Sequence, residues 1–216
     1  ILHTWRFSLS GWNLTSGIVT PFTHKEVSAG GHYKSAWEFN DLILQPVELT
    51  RTFGDLHVEF GANIFVPTGQ YDKTDNASGG LNYLSVGPEA TLTWLPGTRT
   101  EVNFHISSDF VTETNRATNY RSGNSVEMDY SANYRPFSAL HGFQMGVNGY
   151  GFAQWSNDTV SGQIYNNGNR GYEFAIGPQF RYDFSKYAVV LKYQNEVYSR
   201  NRSQGDKIWF QFAVPF

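Results

Sequence analysis

The sequence predicts an all-β protein: a single transmembrane antiparallel β-barrel of about twelve strands, with ten or fourteen as the neighbouring even counts. Three observations carry this. Segments of about ten residues alternate apolar and polar side chains, and that is the length a tilted membrane-spanning strand needs. From Leu56 to Phe216, one face of these segments has no Asp, Glu, Lys or Arg at a central position. The connections alternate, short near residues 97, 139 and 185 and long near 74, 117 and 164. Outer-membrane barrels keep that rhythm, with short periplasmic turns and longer extracellular loops.

Composition fits this class and narrows the others. The 216 residues suit one all-β domain. Charged residues are 16%, against about a quarter in ordinary soluble domains. Aromatics reach 17% while the mean hydropathy is -0.43. No run approaches the roughly 18–20 apolar residues of a spanning helix. Few charges and many rings suit a wall with one lipid face, and they also suit a glycine-rich carbohydrate-binding sandwich. Cysteine is absent, which excludes a disulfide framework and a thiolate metal site. A net charge of -3 argues against a nucleic-acid partner, which needs a basic stripe. Ile1, Leu2 and His3 open directly into a strand-like pattern with no secretory signal, and an exported chain would already have lost one.

The elements follow in order. Trp5, Phe7 and Leu9 alternate with Arg6, Ser8 and Ser10, so a strand lies there. A second piece runs within Asn13 to Phe22, and another starts between Tyr33 and Leu44. Three or four strands are expected up to Thr52, and residues 1–40 leave room for a segment that enters the lumen. Leu42 to Leu49 is a strand interrupted by Pro46, which marks a bulge or an irregular wall position. From Gly54 the pattern sharpens. Leu56, Val58, Phe60, Ala62, Ile64 and Val66 share one face. Val86, Ala90, Leu92 and Trp94 follow, then the Pro96–Gly97 turn. Val102, Phe104 and Ile106 form the next strand, and Val126, Met128 and Tyr130 another. Phe143, Met145 and Val147 open a strand that continues to Trp155. Phe174, Ile176 and Phe180 lead through the short turn at Ser185 to Val189, Leu191 and Tyr193. The closing strand sets Ile208, Phe210, Phe212, Val214 and Phe216 on one face, with Phe216 as the last lipid-facing residue. That makes eight strands after Gly54. Trp94, Tyr134, Trp155, Tyr172, Tyr182, Tyr187 and Tyr198 fall near strand ends, where aromatic girdles sit.

Several segments resemble the outer-membrane channel family associated with the meta-pathway of phenol degradation. They are Gly54-Asp55-Leu56, Val66-Pro67-Thr68-Gly69-Gln70-Tyr71-Asp72 and Asn82-Tyr83-Leu84-Ser85-Val86-Gly87-Pro88. Gly149 to Asp158 and Gly171 to Tyr182 complete the set. The resemblance covers residues 40 to 216. It implies a barrel that passes small, rather hydrophobic molecules.

Inward parity yields the candidates for a solute path: Glu59, Phe65, Glu89, His105, Glu127, Arg135, Phe152, Gln154, Glu173, Arg181, Lys192, Glu196 and Trp209. Each has a structural alternative, a charged network or ring packing that stiffens the wall. Carboxylates outnumber cations in this set, so an anion ladder is not expected. The reading is a passive outer-membrane channel for a small-molecule solute, weakly polar or hydrophobic and aromatic ones included. It is expected as a monomer among outer-membrane lipid and lipopolysaccharide, with no cofactor, no metal and no nucleic acid.

Two rivals belong to other classes. A lipid hydrolase or acyltransferase needs a nucleophile, a histidine and an orienting group in reach of one another. His105, Ser107 and Asp109 share a face, but positions two apart on a strand stand about 7 Å apart. A loop-mediated adhesive or structural barrel would use polar tips such as Asn166 to Asn169 and Asp72 to Asn76. The second tip also offers oxygen ligands for calcium, without the spacing of a defined calcium loop.

Overall fold

The computed structural model describes residues 1–29, 32–75 and 78–214. The expected lipid-facing Phe216 and the loop residue Asn76 lie outside the described residues. In chain order the strands are β1 (Leu2–Leu9), β2 (Trp12–Val19), β3 (Phe22–Ala29), β4 (His32–Phe39), β5 (Leu42–Phe53), β6 (Leu56–Val66), β7 (Ser85–Trp94) and β8 (Thr100–Asp109). Next come two short pieces, β9 (Val111–Thr112) and β10 (Tyr120–Arg121), then β11 (Ser125–Tyr134) and β12 (Phe143–Gln154). Two further short pieces, β13 (Thr159–Val160) and β14 (Gln163–Ile164), precede β15 (Tyr172–Asp183), β16 (Ala188–Arg200) and β17 (Asp206–Ala213). One 3₁₀ turn spans Asn166–Gly168, and no described helix is long and apolar enough to cross a membrane.

All ladders are antiparallel. The main sheet runs β1-β2-β5-β6-β7-β8-β11-β12-β15-β16-β17, with β9 beside β7. Among the described residues no ladder joins β17 to β1. The eight long strands after Gly54 are those the alternation marks. Before Thr52 there are five strands rather than three or four. Three of them join the main sheet, and β3 and β4 pair with each other as an arm continuing β2 and β5 beyond it. Asn40 N–H donates to Pro21 carbonyl at 3.0 Å across the neck of that arm.

Pro46 sits in a bulge, as its missing N–H requires. The register of β5 slips between Leu44 and Glu48 against β6, and β2 slips between Thr15 and Gly17 against β5. Ser16 Oγ donates to Pro46 carbonyl at 2.7 Å and seals the irregularity. A second slip, beside Phe174, leaves both Val197 and Tyr198 on the exposed face.

The sheet curls about its polar face. Arg181 on β15 reaches Glu101 on β8 at 3.4 Å, and Gln179 on β15 donates to Asn133 on β11 at 3.0 Å. Burial is inverted relative to a soluble protein. Among the described residues the buried hydrophobic side chains are Tyr150 and Ala175, while Gln144, Asn148, Glu48 and Glu196 are all buried. Ile208 and Phe210 are 76% and 71% exposed, and Phe60, Met145, Phe180 and Leu191 stand out on the same surface. A water-soluble fold would forfeit about 1.5–3 kcal/mol for each such side chain left in water. Aromatics mark both rims. Tyr182, Phe184, Tyr187 and Phe212 touch in succession by the short turns, and Phe110 meets Trp155 at the other end.

Candidate lumen and its charged layers

Register lines up the inward side chains in rows, because every second residue of a strand faces the same way. One row links Glu48, Gly61, Glu89, Ser107, Glu127, Phe152 and Glu173 across successive strands. Its acids therefore fall on every other strand, with small or aromatic residues between them. The next row places Glu59, Thr91, His105, Asp129, Tyr150, Ala175 and Glu196 in the same order. Nearer the short turns come Thr93, Asn103, Ser131 and Asn148, a neutral row. Beyond it lie Glu101, Gln179, Lys192, Arg181 and Asp183. The inward face is thus acidic toward the long connections and mixed toward the short turns.

At the mixed end Arg181, Arg135, Glu101 and Asp183 pair with one another. Arg181 Nε donates to Asp183 Oδ1 at 2.6 Å, and Arg135 lies 3.4 Å from Asp183 Oδ2. Gln144 Nε2 donates to the same Oδ2 at 3.0 Å. At the acidic end the chain satisfies some carboxylates. Arg202 holds Glu173 at 2.9 Å and its guanidinium lies 4.1 Å from the Phe152 ring centre. Glu196 takes Lys207 at 3.2 Å, the Gly205 N–H at 2.6 Å and the Tyr150 hydroxyl.

Glu48, Glu59 and Glu89 are arranged differently. One oxygen of each lies within 4.8 Å of the others. Glu89 accepts from Gln45 at 3.3 Å and from Asn63, and lies 3.8 Å from His105 Nε2. Among the described residues Glu48 meets no donor at either oxygen. Alternation alone missed it, because the bulge at Pro46 turns it inward. The absent side chain of Gly61 across the ladder leaves room for its carboxylate.

The other predicted residues divide by role. His105, Lys192 and Arg181 line an inner cavity of about 300 Å³ with Asn103, Asp129 and Gln211. Glu127, Trp209 and Lys192 line a neighbouring one of about 360 Å³, where Trp209 Nε1 donates to Gln194 Oε1 at 2.9 Å. Phe65 and Glu127 border a small gap of about 60 Å³. Gln154 faces inward but is occupied by the loops above it. It donates to Asp158 at 2.6 Å, and buried Asp158 also takes the Gly123 N–H at 2.8 Å, Asn169 at 2.9 Å and the Tyr120 hydroxyl. Burial and this bond push the Tyr120 hydroxyl pKa up. Asp41 plays a similar part for the 67–84 connection, taking Gly69 N–H at 2.9 Å and Leu81 N–H at 2.8 Å. A Cβ at Gly69 would meet Gly80 and Asn40 backbone at 2.7–2.8 Å, which explains the glycine in that motif.

The rival chemistry finds other partners. The His105 ring bonds Thr91 Oγ1 at 3.0 Å and faces Glu89 through its other nitrogen. Asp109 takes Ser85 at 2.9 Å and Ser125 at 3.3 Å. In the tip at Asp72, the carboxylate accepts Thr74 N–H at 2.8 Å and its hydroxyl at 2.7 Å, which holds its pKa below the usual carboxylate range.

Comparison with known proteins agrees with this geometry. The family model described as "Putative MetA-pathway of phenol degradation" matches residues 1–212, and the chain belongs to that family. The crystal structure of an outer membrane channel from Pseudomonas putida F1 is similar, with a TM-score of 0.78 at 14% identity. The match covers 98% of this chain and 78% of that one, and it shows the fold. No curated protein matches the sequence.

Proposed function

We propose that this family member is a passive outer-membrane channel whose sheet closes β17 onto β1 around the polar face. The observation that carries the reading is the inverted burial, with apolar side chains outside and glutamate, glutamine and asparagine within. Only a lipid surround makes that distribution favourable, since an apolar exterior costs nothing in hydrocarbon and interior polar groups find partners or water there. The fold shared with the Pseudomonas channel supports it. The long connections face outward from the cell and the short turns face the periplasm. The chain works as a monomer among outer-membrane lipid and lipopolysaccharide.

The solute is a small, weakly polar or hydrophobic molecule, aromatic ones included. It passes the acidic rows and then the neutral row, with Phe65, Phe152 and Trp209 offering apolar surface on the way. Glu59, Glu89, His105, Glu127, Arg135, Glu173, Arg181, Lys192 and Glu196 set the field along the path, while Gln154 secures its outer rim. The test is flux into proteoliposomes of a weakly polar aromatic solute that crosses protein-free bilayers slowly. Entry several-fold faster than with heat-denatured protein is expected. Equal rates would overturn the reading.

A further inference from the structure

We propose that Glu48, Glu59 and Glu89 form a binding site for one hard divalent cation, calcium or magnesium, within the wall. The side chains come from three neighbouring strands, β5, β6 and β7, and present oxygens within 4.8 Å of one another. Oxygens bound about 2.3–2.6 Å from a single calcium ion lie no more than about 5 Å apart, so one ion can take all three. The ligand class is right for a hard cation, which takes carboxylate and carboxamide oxygens and no nitrogen or sulfur.

A cluster of acids by itself proves nothing, and Glu48 supplies the separate observation. Its residue is only 4% exposed, and neither carboxylate oxygen meets a hydrogen-bond donor among the described residues. A buried carboxylate without donor or counter-charge is among the costliest arrangements a fold can hold. Elsewhere on the inward face the chain avoids it, giving Glu173 an arginine and Glu196 a lysine. Here no Lys or Arg pairs with any of the three among the described residues, and His105 approaches only Glu89. Asn63, whose amide already donates to Glu89, keeps a buried Oδ1 that likewise meets no donor among the described residues. That carbonyl is a further oxygen of the kind calcium takes.

The backbone looks built for this geometry. The bulge at Pro46 swings Glu48 inward, and Gly61 opposite it clears the space the carboxylate fills. A bound ion would tie three adjacent strands together at the stretch of wall where the register is least regular.

The experiment is equilibrium dialysis of calcium against the full chain, refolded from denaturant into detergent that contains no lipopolysaccharide, so that no lipid phosphate competes. Magnesium is run in parallel. Wild type is expected to hold one calcium per chain and to unfold at higher temperature in millimolar calcium than in chelator. Glu48→Gln and Glu89→Gln are each expected to weaken binding at least tenfold and to erase the thermal shift. Asp72→Asn, in the loop tip, leaves both unchanged. Retained migration difference between boiled and unboiled samples shows that each variant is folded. Absence of calcium and magnesium binding in folded wild type would overturn the proposal, as would wild-type affinity in folded Glu48→Gln. A wild type that binds no ion while Glu48→Gln is more heat-stable would also overturn it, and would mean that the three acids share protons instead.

Discussion

The two ends of the inward face carry the same kinds of side chain and neutralise them differently. Around Arg181 the chain supplies its own counter-charges, with Asp183 at 2.6 Å, Glu101 at 3.4 Å and Arg135 closing on Asp183. Around Glu48 it supplies three carboxylates and, among the described residues, no paired Lys or Arg. In the proposed channel both clusters point inward because the opposite face meets lipid, where an Arg or Lys costs about 2–4 kcal/mol at the midplane and an acid somewhat less. The difference teaches that inward polarity is imposed by the membrane, while pairing is a local choice. The paired end acts as a strut. The Glu48 cluster is an attractor for something positive, while Glu173 and Glu196 at the same end are paired.

The contrast breaks first if the strut is removed. Arg181→Met should destabilise the folded chain by about 2 kcal/mol, below the roughly 3–5 kcal/mol of a fully buried pair because the guanidinium is partly exposed. The urea midpoint in micelles reads it, and no change would mean that the network is ornamental. At the other end the sign should reverse. In chelator, Glu48→Gln should stabilise by about 1–2 kcal/mol, a fraction of the ~4 kcal/mol between like charges 4 Å apart at intermediate dielectric. In calcium the order of the two proteins should invert. Gly61→Ala sharpens the same point, since its Cβ would occupy the place of the Glu48 carboxylate. A loss of about 1–2 kcal/mol from overpacking is expected, together with loss of calcium binding.

The smallest effect belongs to a carboxylate outside both ends. Asp72 is stabilised in its charged form by Thr74, so its folded pKa lies below its unfolded one. Its contribution is present above the unfolded pKa of about 3.9 and is lost as pH falls through the lower folded value. Asp72→Asn should therefore match wild type in acid and fall slightly behind it at neutral pH. Denaturant midpoints at the two pH values check this.

The sequence showed most of the wall from Gly54 onward for a physical reason. In the proposed channel lipid contact forbids charge on one face, so the period of two runs through Phe60, Leu92, Ile106, Met128, Phe180 and Phe210 and breaks only locally at the slip beside Phe174. Before Gly54 the same rule is blurred. The β1–β2 register slips between Thr4 and Ser8, and β5 slips at Pro46, so parity counted along the chain drifts out of phase with the wall. That is why Glu48 escapes a parity reading although the proline announcing the bulge is plain. The β3–β4 arm pairs outside the sheet and adds strands that alternation alone cannot distinguish from wall. Glu59, Glu89, Arg181 and Glu196 were legible as inward residues. The partners of Glu173, Glu196 and Gln154 were not, because Arg202 and Asp158 sit in loops and Lys207 is brought to Glu196 only by the pairing of the last two strands. The glycine at 69 was visible as part of a motif, and only the approach of Asp41 and Gly80 explains it.

The central claim is that one face of this wall meets lipid and the other meets water along a solute path. The absence of native cysteine allows a direct test with single substitutions on adjacent positions. Lys192→Cys and Gln211→Cys should react with a water-soluble maleimide in proteoliposomes, because both side chains border the inner cavities. Leu191→Cys and Phe210→Cys should resist it and react with a lipid-soluble reagent. The opposite pattern, or equal labelling of all four by the water-soluble reagent, would contradict the account.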